Sequence, residues 1–250
     1  MLYDLTKSDF RNRYLGSYLG VLWAFLSPLA TIAVFVFVFE VGFKAPPVSK
    51  IPFVLWLSTG VIPWFYFSEA FSHASSSIVD YSFLVKKIVF RISFLPLIKV
   101  FSAIFIHFCF ICFLIVMSVY FGFYPKLYWL QIFYYLIASI FLLIGISWIS
   151  SSLMVFTRDV ANLIAIILQF GFWMTPIFWR IDNVPHKYQI ILKLNPVFYI
   201  IQGYRDSFLS DVWFWQRPLM TTYFWLATSL IFLTGLFVFK KTRPHFADVL

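Results

Sequence analysis

Long stretches of this chain carry no charge, and short clusters of Lys, Arg and Asp separate them. Within those stretches apolar residues follow one another continuously instead of alternating with polar ones. The pattern predicts six helical membrane crossings at about 19–43, 51–72, 95–124, 127–156, 160–179 and 218–239, close to or above the roughly 20 residues a crossing helix needs. A membrane β-barrel would show alternating segments of about ten residues, so the helical reading is the one that fits. Ahead of the first run, residues 4–16 interleave Leu5, Ser8, Phe10, Tyr14 and Leu15 with charges, which predicts an amphipathic helix lying in the interface.

The fifth run departs from the rest. It opens at Arg158 and Asp159, continues through the uncharged residues 160–179, and is interrupted by Thr175, Pro176 and Ile177. A proline inside a helix removes a hydrogen bond. Two apolar stretches follow, 190–194 and 195–205, both too short to cross, and they predict re-entrant or interfacial helices between the fifth and sixth spans. Backbone freed at Pro176 and Pro196 is tolerated at membrane depth only when buried in protein or beside water. Pro176, Ile177, Asn195, Pro196 and Arg205 are therefore candidates for an outer gate.

Composition agrees with the pattern: 62% hydrophobic and 12% charged residues in 250 positions describe an integral membrane protein. All 250 residues are expected to form one membrane domain, with no internal repeat, no low-complexity tract and no cleavable signal peptide. The net charge of +9 carries orientation more than affinity for nucleic acid. With both termini in the cytoplasm, the inside segments hold Lys7, Arg11, Arg13, Lys86, Lys87, Arg91, Arg158, Lys240, Lys241 and Arg243. The short outside loops hold only Lys44, Lys50 and Lys126; the long loop from 180 to 217 weighs less in this rule.

Reaction chemistry is sparse. Cys109 and Cys112 form a CxxC near His107, but the other half of a four-ligand metal set is missing and the surroundings are Phe and Ile, so the thiols read as small packing residues and no metal is expected. No paired carboxylates or nucleophile–base spacing marks a catalytic residue. No GxxxxGK[ST] loop is present, so ATP bound in that manner must sit on a partner. A gradient-driven carrier keeps ionisable groups at mid-membrane; here His107 stands near a centre, while Lys99, Glu40 and Glu69 fall close to span ends. Between the second and third spans, residues 75–91 mix apolar and basic side chains over a length that exceeds a turn, which suits either positive-inside anchoring or a partner surface. Gly16 and Gly20 form one GxxxG, a small-residue spacing that permits close helix approach.

The order of these pieces resembles the ABC-2-type permeases. It comprises the interfacial helix running into Gly16-Ser17-Tyr18-Leu19-Gly20-Val21-Leu22-Trp23-Ala24-Phe25-Leu26-Ser27-Pro28, the basic first cytoplasmic loop, Arg158-Asp159, Thr175-Pro176-Ile177, Leu194-Asn195-Pro196 and Arg205. The nearest branch looks like exporters of lipid-linked polysaccharide such as O-antigen, capsule or teichoic acid. The resemblance implies a homodimer in the bacterial inner (plasma) membrane, joined to two copies of a separate ATPase that binds ATP and Mg, with no cofactor in this chain. It makes Asp80, Tyr81, Phe83, Leu84, Lys86, Lys87 and Arg91 candidates for coupling to that ATPase. Aromatic residues make up 23% of the chain and can stack on sugar rings; Phe25, Trp64, Phe172 and Trp173 are the candidates for lining a channel between the copies. Arg11 and Arg13 are candidates for contact with a lipid phosphate, or for ordinary attraction to anionic headgroups. Two alternatives stay open: a permease of similar architecture exporting drugs or small lipids, and a membrane-embedded transferase acting on lipid-linked sugars. For the transferase, the outer candidates Asp182, Asp206 and Asp211 are scattered.

Overall fold

A computed structural model describes residues 2–14, 20–44, 51–85 and 91–250, with the side chains of all of these except 2, 12–14, 21, 84, 85 and 247. Helix α1 (Leu2–Tyr14) precedes α2 (Gly20–Val36), which continues into a π-helical turn, Phe37–Gly42. Next come α3 (Phe53–Asp80), the single turn α4 (Ser82–Val85), α5 (Phe94–Tyr120), α6 (Gln131–Phe156) and α7 (Asp159–Met174). Beyond the break lie α8 (His186–Lys193), α9 (Pro196–Arg205) with a π turn at Asp206–Ser210, α10 (Pro218–Thr242) and the short α11 (Phe246–Val249).

Among the described residues, four helices are long and apolar enough to cross a membrane: 22–42, 94–120, 127–156 and 218–245. The chain is thus an all-helical, multi-pass membrane protein. Helix α3 is as long as these but less apolar, and α7 is apolar but only 16 residues long.

The core is built on α3, which packs against α5, α6, α7 and α9. Its buried serine hydroxyls would interrupt an apolar helix if they were left unpaired, yet they are turned back onto their own main chain. Ser58 donates to the Val54 carbonyl, Ser75 to Phe71 and Ser77 to Ala74, each at 2.7 Å. That pairing lets a serine-rich helix be buried with these serine donors satisfied, and it carries α3 past Glu69 and His73 to Asp80, well beyond the first charge.

On the other side of the molecule α6 lies against α10. The Gly145 and Gly235 backbones meet so closely that a Cβ on Gly235 would stand 2.3 Å from the Gly145 carbonyl oxygen. At the far end of α5, Gly122 takes φ +84°, and the Phe123 N–H returns 2.9 Å to the Ser118 carbonyl. This left-handed residue ends the helix and satisfies its last carbonyls.

Candidate functional site

The break after α7 is held by one buried arginine. Thr175 turns extended, so the Pro176 and Ile177 carbonyls lose their place in a helical ladder. Arg205, 6% exposed at the end of α9, donates Nη1 to the Pro176 oxygen at 2.7 Å and Nη2 to the Ile177 oxygen at 2.6 Å. Its guanidinium also lies 3.9 Å from the ring centroid of Trp56 on α3, close enough for a cation–π contact. Gly60, one turn farther along α3, makes the room: a Cβ there would stand 2.9 Å from Nη2 and 3.3 Å from the Ile177 oxygen.

Asn195 ties the same break to the start of α9. Its Nδ2 donates to Thr175 Oγ1 at 2.9 Å, and its Oδ1 caps α9 by accepting from the Val197 N–H at 3.0 Å. Pro196 occupies the first turn, where a missing N–H costs nothing. At the other end of α9, Asp206 is buried and accepts from Gln202 and, through both oxygens, from Arg217 Nε and Nη2.

A second junction sits at the opposite end of α5. Asp9 is 3% exposed; its Oδ1 pairs with Lys99 Nζ at 2.7 Å and accepts from the Tyr81 hydroxyl at 2.6 Å. Lys99 also lies 4.9 Å from the Tyr81 ring centroid and 4.0 Å from Asp80 Oδ2. One carboxylate therefore joins α1, the α3–α4 turn and α5. Burial pushes the Asp9 carboxyl up, but the bonds from Lys99 and Tyr81 and the Lys99 charge outweigh it and hold the group below its ordinary value. Burial, with the Asp9 contact, pushes the Tyr81 phenol upward. From Lys99 to Tyr120 the axis of α5 rises roughly 30 Å, so the two junctions stand at opposite ends of the molecule.

Between them, a recess of about 400 Å³ opens on the side of the protomer. It is lined by Ser27, Pro28 and Thr31 of α2, Phe65, Ser68, Glu69, Ser72 and His73 of α3, and Leu168 of α7. Beside it, α2 has one buried residue among those described, Ile32, and leaves Leu22, Trp23, Leu26 and Val34 exposed. Glu69 stands roughly 16 Å along the axis from Asp80, well inside α3 instead of at its end.

The remaining candidates divide by place. Trp64 is buried and packs against Phe67 and Phe172, Phe25 rests on Phe110, and Phe172 also meets Phe35 and Phe178; these rings knit α2, α3, α5 and α7 together. Trp173 is 54% exposed. Phe83, Arg91 and Arg11 are exposed. Lys86 and Lys87, and the side chains of Arg13 and Leu84, lie outside the described residues. Cys109 and Cys112 are free and exposed, while His107 faces inward, sharing a 2.7 Å hydrogen bond with Tyr204 and stacking on Tyr66.

Sequence reasoning missed Asp9 and Lys99 as a pair, and Trp56 and Gly60 as the seat of Arg205. For Asp9 a signal existed: positions 5, 6, 9 and 10 form the inward stripe of α1, and a carboxylate on such a stripe demands a cation. No local signal marks Trp56.

Comparison with known proteins places this architecture. Two proteins of Klebsiella pneumoniae, each named O-antigen export system permease protein RfbA, are 28% and 29% identical over 252 and 253 residues, covering 100% of this chain and 95% of each relative. A Myxococcus xanthus protein of the same name is 25% identical over 253 residues, 99% of this chain and 94% of its own. The model of the ABC-2 type transporter family matches residues 2–209, a span that takes in both junctions and the recess, and the chain belongs to that family.

Proposed function

We propose that this chain is the permease subunit of an ATP-driven exporter that moves a lipid-linked polysaccharide, of O-antigen, capsule or teichoic acid type, across the bacterial inner membrane. Two copies join two copies of a separate ATPase, which binds the ATP and Mg. Six crossings, with α3 and α7 added to the four long apolar helices, put both termini in the cytoplasm. The polymer passes between the copies.

One observation carries this reading: the hydroxyl-rich recess on α2, α3 and α7. Thr31 and Ser68 donate to their own main chain, but a carboxylate turned toward lipid at that depth is costly, about 2.5–3.5 kcal/mol for a central Asp on insertion scales. The same surface is inexpensive if it faces water and a second copy. Hydroxyl, carboxylate and imidazole groups hydrogen-bond sugar hydroxyls without selecting one sugar. The names of the relatives support a polysaccharide as the cargo.

The inner junction is where nucleotide hydrolysis would be felt. Phe83 is 58% exposed immediately beyond Tyr81, and Asp80, Tyr81 and Arg91 flank it, so an ATPase pressing on this turn pushes α1 and α5 through Asp9 and Lys99. The outer junction, from Pro176 to Arg205, forms the gate at the exit.

The test is reconstitution of the chain with its ATPase in proteoliposomes, reading ATP hydrolysis and movement of a lipid-linked glycan. Failure to bind any ATPase would sink the proposal. Replacing Ser27 and Ser72 together with Trp narrows the recess and is expected to lower glycan movement about tenfold or more while ATPase association persists; undiminished movement moves the path elsewhere. Phe83→Asp is expected to weaken ATPase association by about 2 kcal/mol, roughly thirty-fold in affinity. Unchanged association would remove that turn from the contact.

A further inference from the structure

A second cavity, of about 410 Å³, lies at the outer end and shares a wall with the gate. Its lining combines two aromatic residues, Trp56 and Phe123, with Arg180, Asp182, Gln202 and Arg205. Arg180 and Asp182 are paired at 2.8 Å and remain largely exposed, so a ligand can reach both a fork of donors and a carboxylate. Arg205 contributes to the wall while its two terminal nitrogens hold the Pro176 and Ile177 carbonyls. Aromatic surface beside a carboxylate, an amide and guanidinium groups suits a pyranose, which has an apolar face and a rim of hydroxyls that both donate and accept.

We propose that this cavity binds a short saccharide on the outer side of each protomer, apart from the recess along α2, with Arg205 common to the ligand and the gate. The inference rests on the glycan-export reading. The volume falls in the lower part of the roughly 300–1,000 Å³ range of small-molecule sites, which admits a glycan terminus and excludes a polymer coil. A bound sugar then braces the arginine that closes the break after α7.

The experiment titrates the full permease–ATPase complex in nanodiscs with free hexoses, deoxyhexoses and their disaccharides, followed by calorimetry and saturation-transfer NMR. Glycan movement by the same preparation is measured in parallel. Binding of at least one saccharide is expected, weakened about tenfold by Arg180→Ala or Asp182→Asn and unaffected by Lys187→Ala. Absence of binding by a preparation that moves glycan overturns the site and leaves the transport reading intact. Binding that survives both cavity substitutions also overturns it, as does a response to inorganic phosphate alone, which would make the cavity an anion site. A preparation that binds its ATPase and moves no glycan fails the transport reading instead, whatever the titration gives.

Discussion

The two junctions solve the same problem with different acceptors. At one end, Lys99 meets a carboxylate, Asp9, that belongs to a separate helix. At the other, Arg205 meets two main-chain carbonyls and an aromatic face, and the nearby carboxylate, Asp206, is occupied by Arg217. A lysine is a point charge on a flexible stem, so its pair with Asp9 tolerates rotation of one helix over another. A planar fork spread over two fixed oxygens and a ring does not. The Asp9–Lys99 contact is thus suited to movement of one helix over another, the Arg205 contact to holding a particular break in a particular shape.

The comparison breaks most visibly at Arg205. Arg205→Met leaves two buried carbonyls without donors and should cost about 3–5 kcal/mol, seen as a large fall in the thermal midpoint of the nanodisc-embedded complex. Arg205→Lys should recover less than half of the loss, because one ammonium cannot span both oxygens and cover Trp56. Full recovery by lysine would erase the distinction between the two ends. A smaller effect is expected at the other end, where Lys99→Met strands the Asp9 charge and the double variant with Asp9→Asn removes the demand. A double-mutant cycle should give a coupling of about 1–3 kcal/mol.

That pair also has a pH signature. The folded-state value of Asp9 is depressed below an unfolded value of roughly 3.9. Its contribution is therefore complete above that value and is lost as pH falls through the folded value. Crosslinking between α1 and α5 should not change from pH 7 to 5 and should weaken only in stronger acid. The mildest change is Asn195→Ala, which removes the cap of α9 and the bond to Thr175 at about 1–2 kcal/mol. A fall in export larger than the fall in stability would give Asn195 a part in transport beyond holding the break.

The break at Pro176 was legible because proline acts locally, and Asn195-Pro196 announced α9 for the same reason. Arg205 stood out in the sequence, but its partners are carbonyls 28 and 29 positions earlier, and a main-chain acceptor has no residue type to recognise. Asp9 and Lys99 are ninety positions apart; each looked like an interfacial charge until folding brought them together. The extent of α3 was hidden differently. Hydropathy ends a span near its first charge, at Glu69, whereas the helix continues to Asp80 because its buried serine hydroxyls bond to its own carbonyls and its neighbours cover it. The recess was invisible for a related reason: Ser27, Thr31 and Ser72 are unremarkable singly and gain meaning only as one surface.

Where the α6 and α10 backbones touch at Gly145 and Gly235, no layer of side chains intervenes that could change rotamers and let one helix slip past the other. These two helices therefore behave as a single plate. Rearrangement between neighbouring helices is therefore expected at the sparsely buried α2 and not at that seam. Two hydrogen atoms in place of side chains thus fix α6 against α10.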